Sequence, residues 1–63
     1  MTKVNLYINN TFECEIPMEE NLDMKLVFDQ IAEAYSYCNQ NRVSETELVV
    51  DLAEGYQIMY KAA

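Results

Sequence analysis

Paired acids are the chain's most obvious chemical resource. Glu13 with Glu15, and Glu19 with Glu20, set carboxylates close enough for acid–base work, and Cys14 stands between the first pair as a candidate nucleophile. Either chemistry needs support: a dry pocket that pushes two carboxyl groups apart in acidity, or a base near neutral pH to activate the thiol. Neither is foreseen. The chain has no histidine, so no Ser-His or Cys-His pair can form. Two flanking carboxylates are the wrong neighbours for a reactive thiolate, and 63 residues leave little room for a deep pocket.

Other site classes fail on composition. Gly55 is the only glycine, which excludes a phosphate-cradling loop and a dinucleotide fingerprint. No D-x-[DN]-x-[DN]-G run offers a calcium loop. Cys14 and Cys38 make neither a CxxC pair nor a metal spacing, and read as two small core residues in a reducing compartment in preference to a disulfide. The chain therefore reads as a non-enzyme with no metal or cofactor. Its carboxylates belong to a surface.

That surface is strongly negative. Eleven Asp and Glu against four Lys and Arg give a formal charge of −7, and the acids run from Glu13 to Glu54 without forming a tail. Acid spread over a folded body repels nucleic acid and anionic membrane and favours a basic partner. Direct nucleic-acid binding is disfavoured as well because Lys3, Lys25, Arg42 and Lys61 do not cluster in sequence. Met1 to Asn10 lacks the continuous apolar stretch of a secretion signal, and no segment nears the roughly 20 apolar residues of a membrane-spanning helix. A cytoplasmic location is expected.

The periodicities define the elements that must carry these residues. Val4, Leu6 and Ile8 alternate with Asn5 and Tyr7, and Phe12, Cys14 and Ile16 alternate with Glu13 and Glu15, so residues 3–16 read as a β-hairpin. A loop of Asn9 to Thr11 would pair Ile8 with Phe12, Leu6 with Cys14 and Val4 with Ile16, keeping one face apolar. A two-residue Asn9-Asn10 loop would pair Leu6 with Glu13, and is rejected on register. From Asn21 to about Asn41 the period changes: Met24, Val27, Phe28, Ile31, Ala34, Tyr35 and Cys38 form one helical stripe, with Asn21 as its cap and Glu19, Glu20 and Asp23 at its positive end.

Residues 48–52 and 56–60 alternate again, and Ala53-Glu54-Gly55 suits a hairpin loop with Gly55 in the left-handed region. A C-terminal helix is the alternative, giving ββαα, because Ser44 and Glu47 form a capping-box pattern. The mid-helix cost of Gly55, about 1 kcal/mol, favours the hairpin. The expected fold is a single α+β domain over residues 1–63, ββαββ, with four mainly antiparallel strands and one helix on one face. Its expected core is Val4, Leu6, Ile8, Phe12, Cys14, Ile16, Val27, Phe28, Ile31, Tyr35, Cys38, Leu48, Val50, Leu52 and Ile58, with Tyr56 and Tyr60 at its edge. The second sheet face is left bare.

On that bare face the alternation projects Tyr7, Glu13, Glu15, Glu47, Val49, Asp51 and Met59. Tyr7, Val49 and Met59 are apolar anchors among carboxylates, the composition of an interface core inside a polar rim. With Glu19, Glu20 and Asp23 these are the candidate partner-binding residues, and Tyr37, Leu22 and Leu26 extend the apolar surface.

In size, acidity and lack of histidine the chain resembles the group of small inhibitors by which phages and mobile elements disable restriction, CRISPR or repair enzymes. The likeness covers composition and size and transfers no residue. It implies a nucleic-acid mimic whose carboxylates occupy a basic channel in place of phosphates. A competing expectation is an oligomerising adaptor or regulatory subunit, a homodimer included, that pairs through the bare face.

Overall fold

The first hairpin begins in β1, Lys3–Ile8, turns through Asn9 and Asn10, and returns in β2, Thr11–Pro17, in a computed structural model that describes residues 3–63. Met1 and Thr2, the first residues of the stretch weighed as a secretion signal, lie outside the described residues. Both turn asparagines take positive φ, 49° and 69°, the geometry of the tight two-residue turn whose twist matches paired strands. Ile8 therefore faces Thr11, contrary to the expected three-residue loop.

The register is restored inside β2. Leu6 faces Cys14 and Val4 faces Ile16, as expected, but Tyr7 faces Phe12, so Glu13 is the extra residue of a β-bulge. The rejected turn is present together with two of the three preferred pairings, Leu6 with Cys14 and Val4 with Ile16, and the bulge reconciles them. Its consequence is that Phe12 leaves the expected core for the face of Tyr7. The two rings meet edge to face, with centroids 5.7 Å apart at 71°.

The helix α1 is shorter than its sequence stripe, spanning Met24–Ala34. Asp23, not Asn21, caps it, accepting from the Lys25 amide at 3.0 Å. It ends because the chain is drawn away into a strand that the sequence reading lacked, β3, Asn39–Ser44. The Gln40 side chain donates to the carbonyls of Ala32 and Tyr35, both at 3.0 Å, adding a second donor to each beside the backbone amides of Tyr35 and Cys38.

Arg42 fastens β3 to the helix. It donates to Asp29 at 2.8 Å and to the carbonyls of Ser44 and Glu45 at 2.9 and 3.1 Å, and its guanidinium lies 5.9 Å from the centre of the Phe28 ring. The helix-facing side of this strand is polar, and it docks by hydrogen bonds where the other strands dock by apolar contact.

The last hairpin joins β4, Glu47–Asp51, to β5, Gln57–Ala62, and excludes the C-terminal helix. Its loop holds Gly55 at φ 76°, the left-handed conformation expected, and also Glu54 at φ 65°. The sheet has five strands in the order β2-β1-β5-β4-β3, every neighbour antiparallel. The architecture is α+β, corrected from ββαββ to ββαβββ. Both outer strands carry a bulge, Glu13 in β2 and Val43 in β3, and such irregularities blunt exposed sheet edges against further pairing.

Val4, Phe28, Leu48 and Val50 are fully buried, with Ile16, Met18, Met24, Ile31, Ala32, Tyr35, Cys38, Leu52, Tyr60 and Ala62 packed around them. Phe12, Cys14 and Tyr56 are exposed, against expectation. The helix covers the Val4 end of the sheet, and four fully buried side chains make a small core. Cys14 and Cys38 are free thiols. Among the described residues no helix is long and apolar enough to cross a membrane.

Candidate protein-interaction face

The helix occupies one face of the sheet; the other is open. Pairing register builds that face row by row, because directly opposed residues of antiparallel strands point to the same side. Phe12 faces Tyr7, Tyr7 faces Met59, Met59 faces Val49 and Val49 faces Asn41. One apolar row thus crosses four strands and ends on an asparagine in the fifth. Phe12 keeps 52% of its surface exposed, while Tyr7, Met59 and Val49 are half-buried by their neighbours.

Polar rows flank it. On one side stand Glu15, Asn5, Lys61, Glu47 and Ser44, and on the other Gln57, Asp51 and Asn39. Lys3 lies 3.4 Å from Glu15, and Gln57 donates to Asp51 at 2.9 Å. Asn5 Oδ1 is shut off from solvent without a hydrogen-bond partner, a cost that β1 carries within this flanking row.

Of the expected site residues, Tyr7, Glu15, Glu47, Val49, Asp51 and Met59 share the open face. Glu13 occupies the bulge of the outer strand β2. Glu19, Glu20 and Asp23 lie in the segment that leads from Pro17 to the helix, at the end where β1 begins. Glu45, in the turn between β3 and β4, belongs to the same end: the neighbouring Thr46 carbonyl accepts from Ala62, and Ala63 donates to Lys3. Phe12 was missed as a surface residue because the bulge that redirects it leaves no mark in the alternation. The available signal was Asn9-Asn10, a pair suited to a tight turn.

The carboxylates divide into paired and unpaired groups. Asp29 is held by Arg42 and Lys25, and Glu15 by Lys3. The hydrogen bond from Arg42 keeps the Asp29 carboxyl below its ordinary pKa, with Lys25 assisting. The other nine, Glu13, Glu19, Glu20, Asp23, Glu33, Glu45, Glu47, Asp51 and Glu54, form no ion pair among the described residues. Of those nine, Glu47 and Asp51 stand on the open face, Glu13 in the bulge of the edge strand β2, Glu19, Glu20, Asp23 and Glu45 at the end of the sheet where β1 begins, Glu54 in the loop at the other end, and Glu33 on the helix. The face itself is closer to neutral, since Lys3 and Lys61 stand among Glu15, Glu47 and Asp51. Acid without an ion pair stands on the open face, at its edge strand and at both ends of the sheet.

Tyr37, Cys38, Asn39, Asp51, Leu52 and Ala53 line an open cleft of about 380 Å³. No three His, Cys, Asp or Glu side chains converge as a metal site among the described residues. On the helix side the Tyr35 and Tyr60 hydroxyls hydrogen-bond at 2.9 Å, and burial together with that bond pushes the Tyr60 phenol pKa up. No family model, curated protein or solved structure matches the chain.

Proposed function

We propose that this chain is a small acidic protein-binding inhibitor of the kind phages and mobile elements carry. It seats on the basic nucleic-acid-binding site of a host defence or DNA- or RNA-processing enzyme, in the host cytoplasm, and its carboxylates stand in for phosphates. The observation that supports this reading most is the acid without an ion pair along the edge strand at Glu13 and at both ends of the sheet, at the Glu19–Asp23 segment with Glu45 and Glu47, and at Asp51 and Glu54. Lys and Arg side chains that hold phosphates meet comparable charge there, and long-range attraction accelerates the encounter. The partner is a protein, and neither nucleic acid nor membrane is bound directly.

Displacement of labelled duplex DNA or guide RNA from a panel of restriction, CRISPR and repair enzymes tests the reading. Inhibition that weakens steeply between roughly 50 and 200 mM salt, and that falls further in Glu19→Gln/Glu20→Gln/Asp51→Asn, is the expected outcome. No displacement from any enzyme, or binding indifferent to salt, would refute it. A second reading, an oligomerising adaptor, is favoured by the apolar row across β2, β1, β5 and β4. A dimer in light scattering that ignores salt would put that reading first.

A further inference from the structure

We infer that the row Phe12, Tyr7, Met59 and Val49 is a seat for arginine side chains of a protein partner, and that it supplies the specificity which peripheral charge does not. The inference rests on the acidic partner-binding reading above and names the chemistry of that partner at the open face.

Three features of the face converge on a guanidinium. An arginine has an apolar stem and a planar cation that stacks on aromatic faces and pairs with carboxylates in a fixed geometry, whereas lysine offers a strongly hydrated point charge. Tyr7 and Phe12 provide the aromatic surface, paired edge to face and with Phe12 half exposed. Met59 and Val49 continue the apolar floor on which the stem can lie. Glu15 and Asp51 flank the row on opposite sides, both accessible.

A second copy of the chain is the competing occupant, and charge argues against it. Two bodies of −7 would bring their acidic margins together around the same row. Geometry adds that the contact is broad. The apolar row with its terminal Asn41 and the Glu15-to-Ser44 flanking row each cross all five strands of the sheet. A partner that covers it engages the row and the acidic margin together.

Nona-arginine and nona-lysine carry equal charge on stems that differ by one methylene and differ chiefly in the head group, so they separate the row from the field. The expected result is tighter binding of nona-arginine, with amide shift changes centred on Phe12, Tyr7, Met59 and Val49. Phe12→Ser, at an exposed position, should lower nona-arginine affinity about three- to fivefold and leave nona-lysine unchanged. Equal binding of the two peptides by the unaltered chain, shift changes centred on Glu19 to Asp23, or a salt-insensitive dimer formed through the row would each overturn the inference. The outcomes remain distinct from those of the enzyme panel. Arginine selectivity without inhibition of any enzyme removes the mimic and keeps the seat, while inhibition without arginine selectivity does the reverse.

Discussion

Replacing Arg42 with methionine should loosen the outer strand β3 and with it one margin of the open face. Methionine keeps an apolar stem against Phe28 but removes the guanidinium. Two hydrogen bonds of good length are lost, to the Ser44 carbonyl at 2.9 Å and the Glu45 carbonyl at 3.1 Å. Each would contribute roughly 1.5 kcal/mol or more if dry, since the donor is charged, but the side chain is 30% exposed and water replaces part, leaving about 0.5 to 1 each. Loss of the cation over the Phe28 ring adds about 0.5 to 1 kcal/mol. The contact with Asp29, whose side chain is 43% exposed, is left out of the sum because solvent screens much of it.

The total is about 2 kcal/mol, and at roughly 4 to 8 °C per kcal/mol for a domain of this size the melting temperature should fall by about 8 to 16 °C. Thermal melts followed by circular dichroism at pH 7 measure it. A fall of less than about 2 °C would refute the reasoning and assign β3 to its backbone ladder alone. The pH dependence gives a second check. Asp29 has a folded pKa below its ordinary 3.8, so its stabilisation is present above that value and is lost as pH falls through the lower folded one. The gap between the two proteins should therefore narrow as pH drops below about 4.

Three further changes probe other parts of the fold. Asn5→Val removes a solvent-excluded acceptor that has no partner and adds a strand-favouring side chain, so urea denaturation should show a gain of about 1 kcal/mol, and a loss would count against the burial of Oδ1. Gly55→Ala should cost about 1 kcal/mol although nothing lies within 4 Å of the added carbon, because φ is +76°, whereas Glu54→Gly at φ 65° should be neutral or stabilising; equal effects from the two would be inconsistent with backbone strain. Tyr60 has a raised folded pKa, so its neutral form favours the fold below the ordinary value of 10.0 and that contribution disappears as pH rises above it; alkaline melts of Tyr60→Phe should lose less stability than the unaltered chain over that range.

Much of this was legible in residue order. Alternation at Val4, Leu6 and Ile8, the helical stripe through Phe28 and Ile31, and Gly55 between two alternating runs each reflect a local geometry that side-chain spacing reports directly. The open face followed from the same alternation, with Tyr7, Val49 and Met59 on it. Asn39 to Ser44 was not legible, because its helix-side residues are Gln40 and Arg42. A strand that docks by hydrogen bonds to helix carbonyls and to Asp29 shows no apolar period.

Sequence by itself determined the net charge, the absence of histidine, the order hairpin, helix, hairpin and the separation of an apolar from a polar sheet face. Tertiary structure decided the fifth strand, the strand order and the place of Phe12. The bulge at Glu13 is the physical reason for the last of these. A tight Asn9-Asn10 turn and an apolar inner register differ by one residue, and only the packing of Val4 and Ile16 into the core determines which residue is set aside.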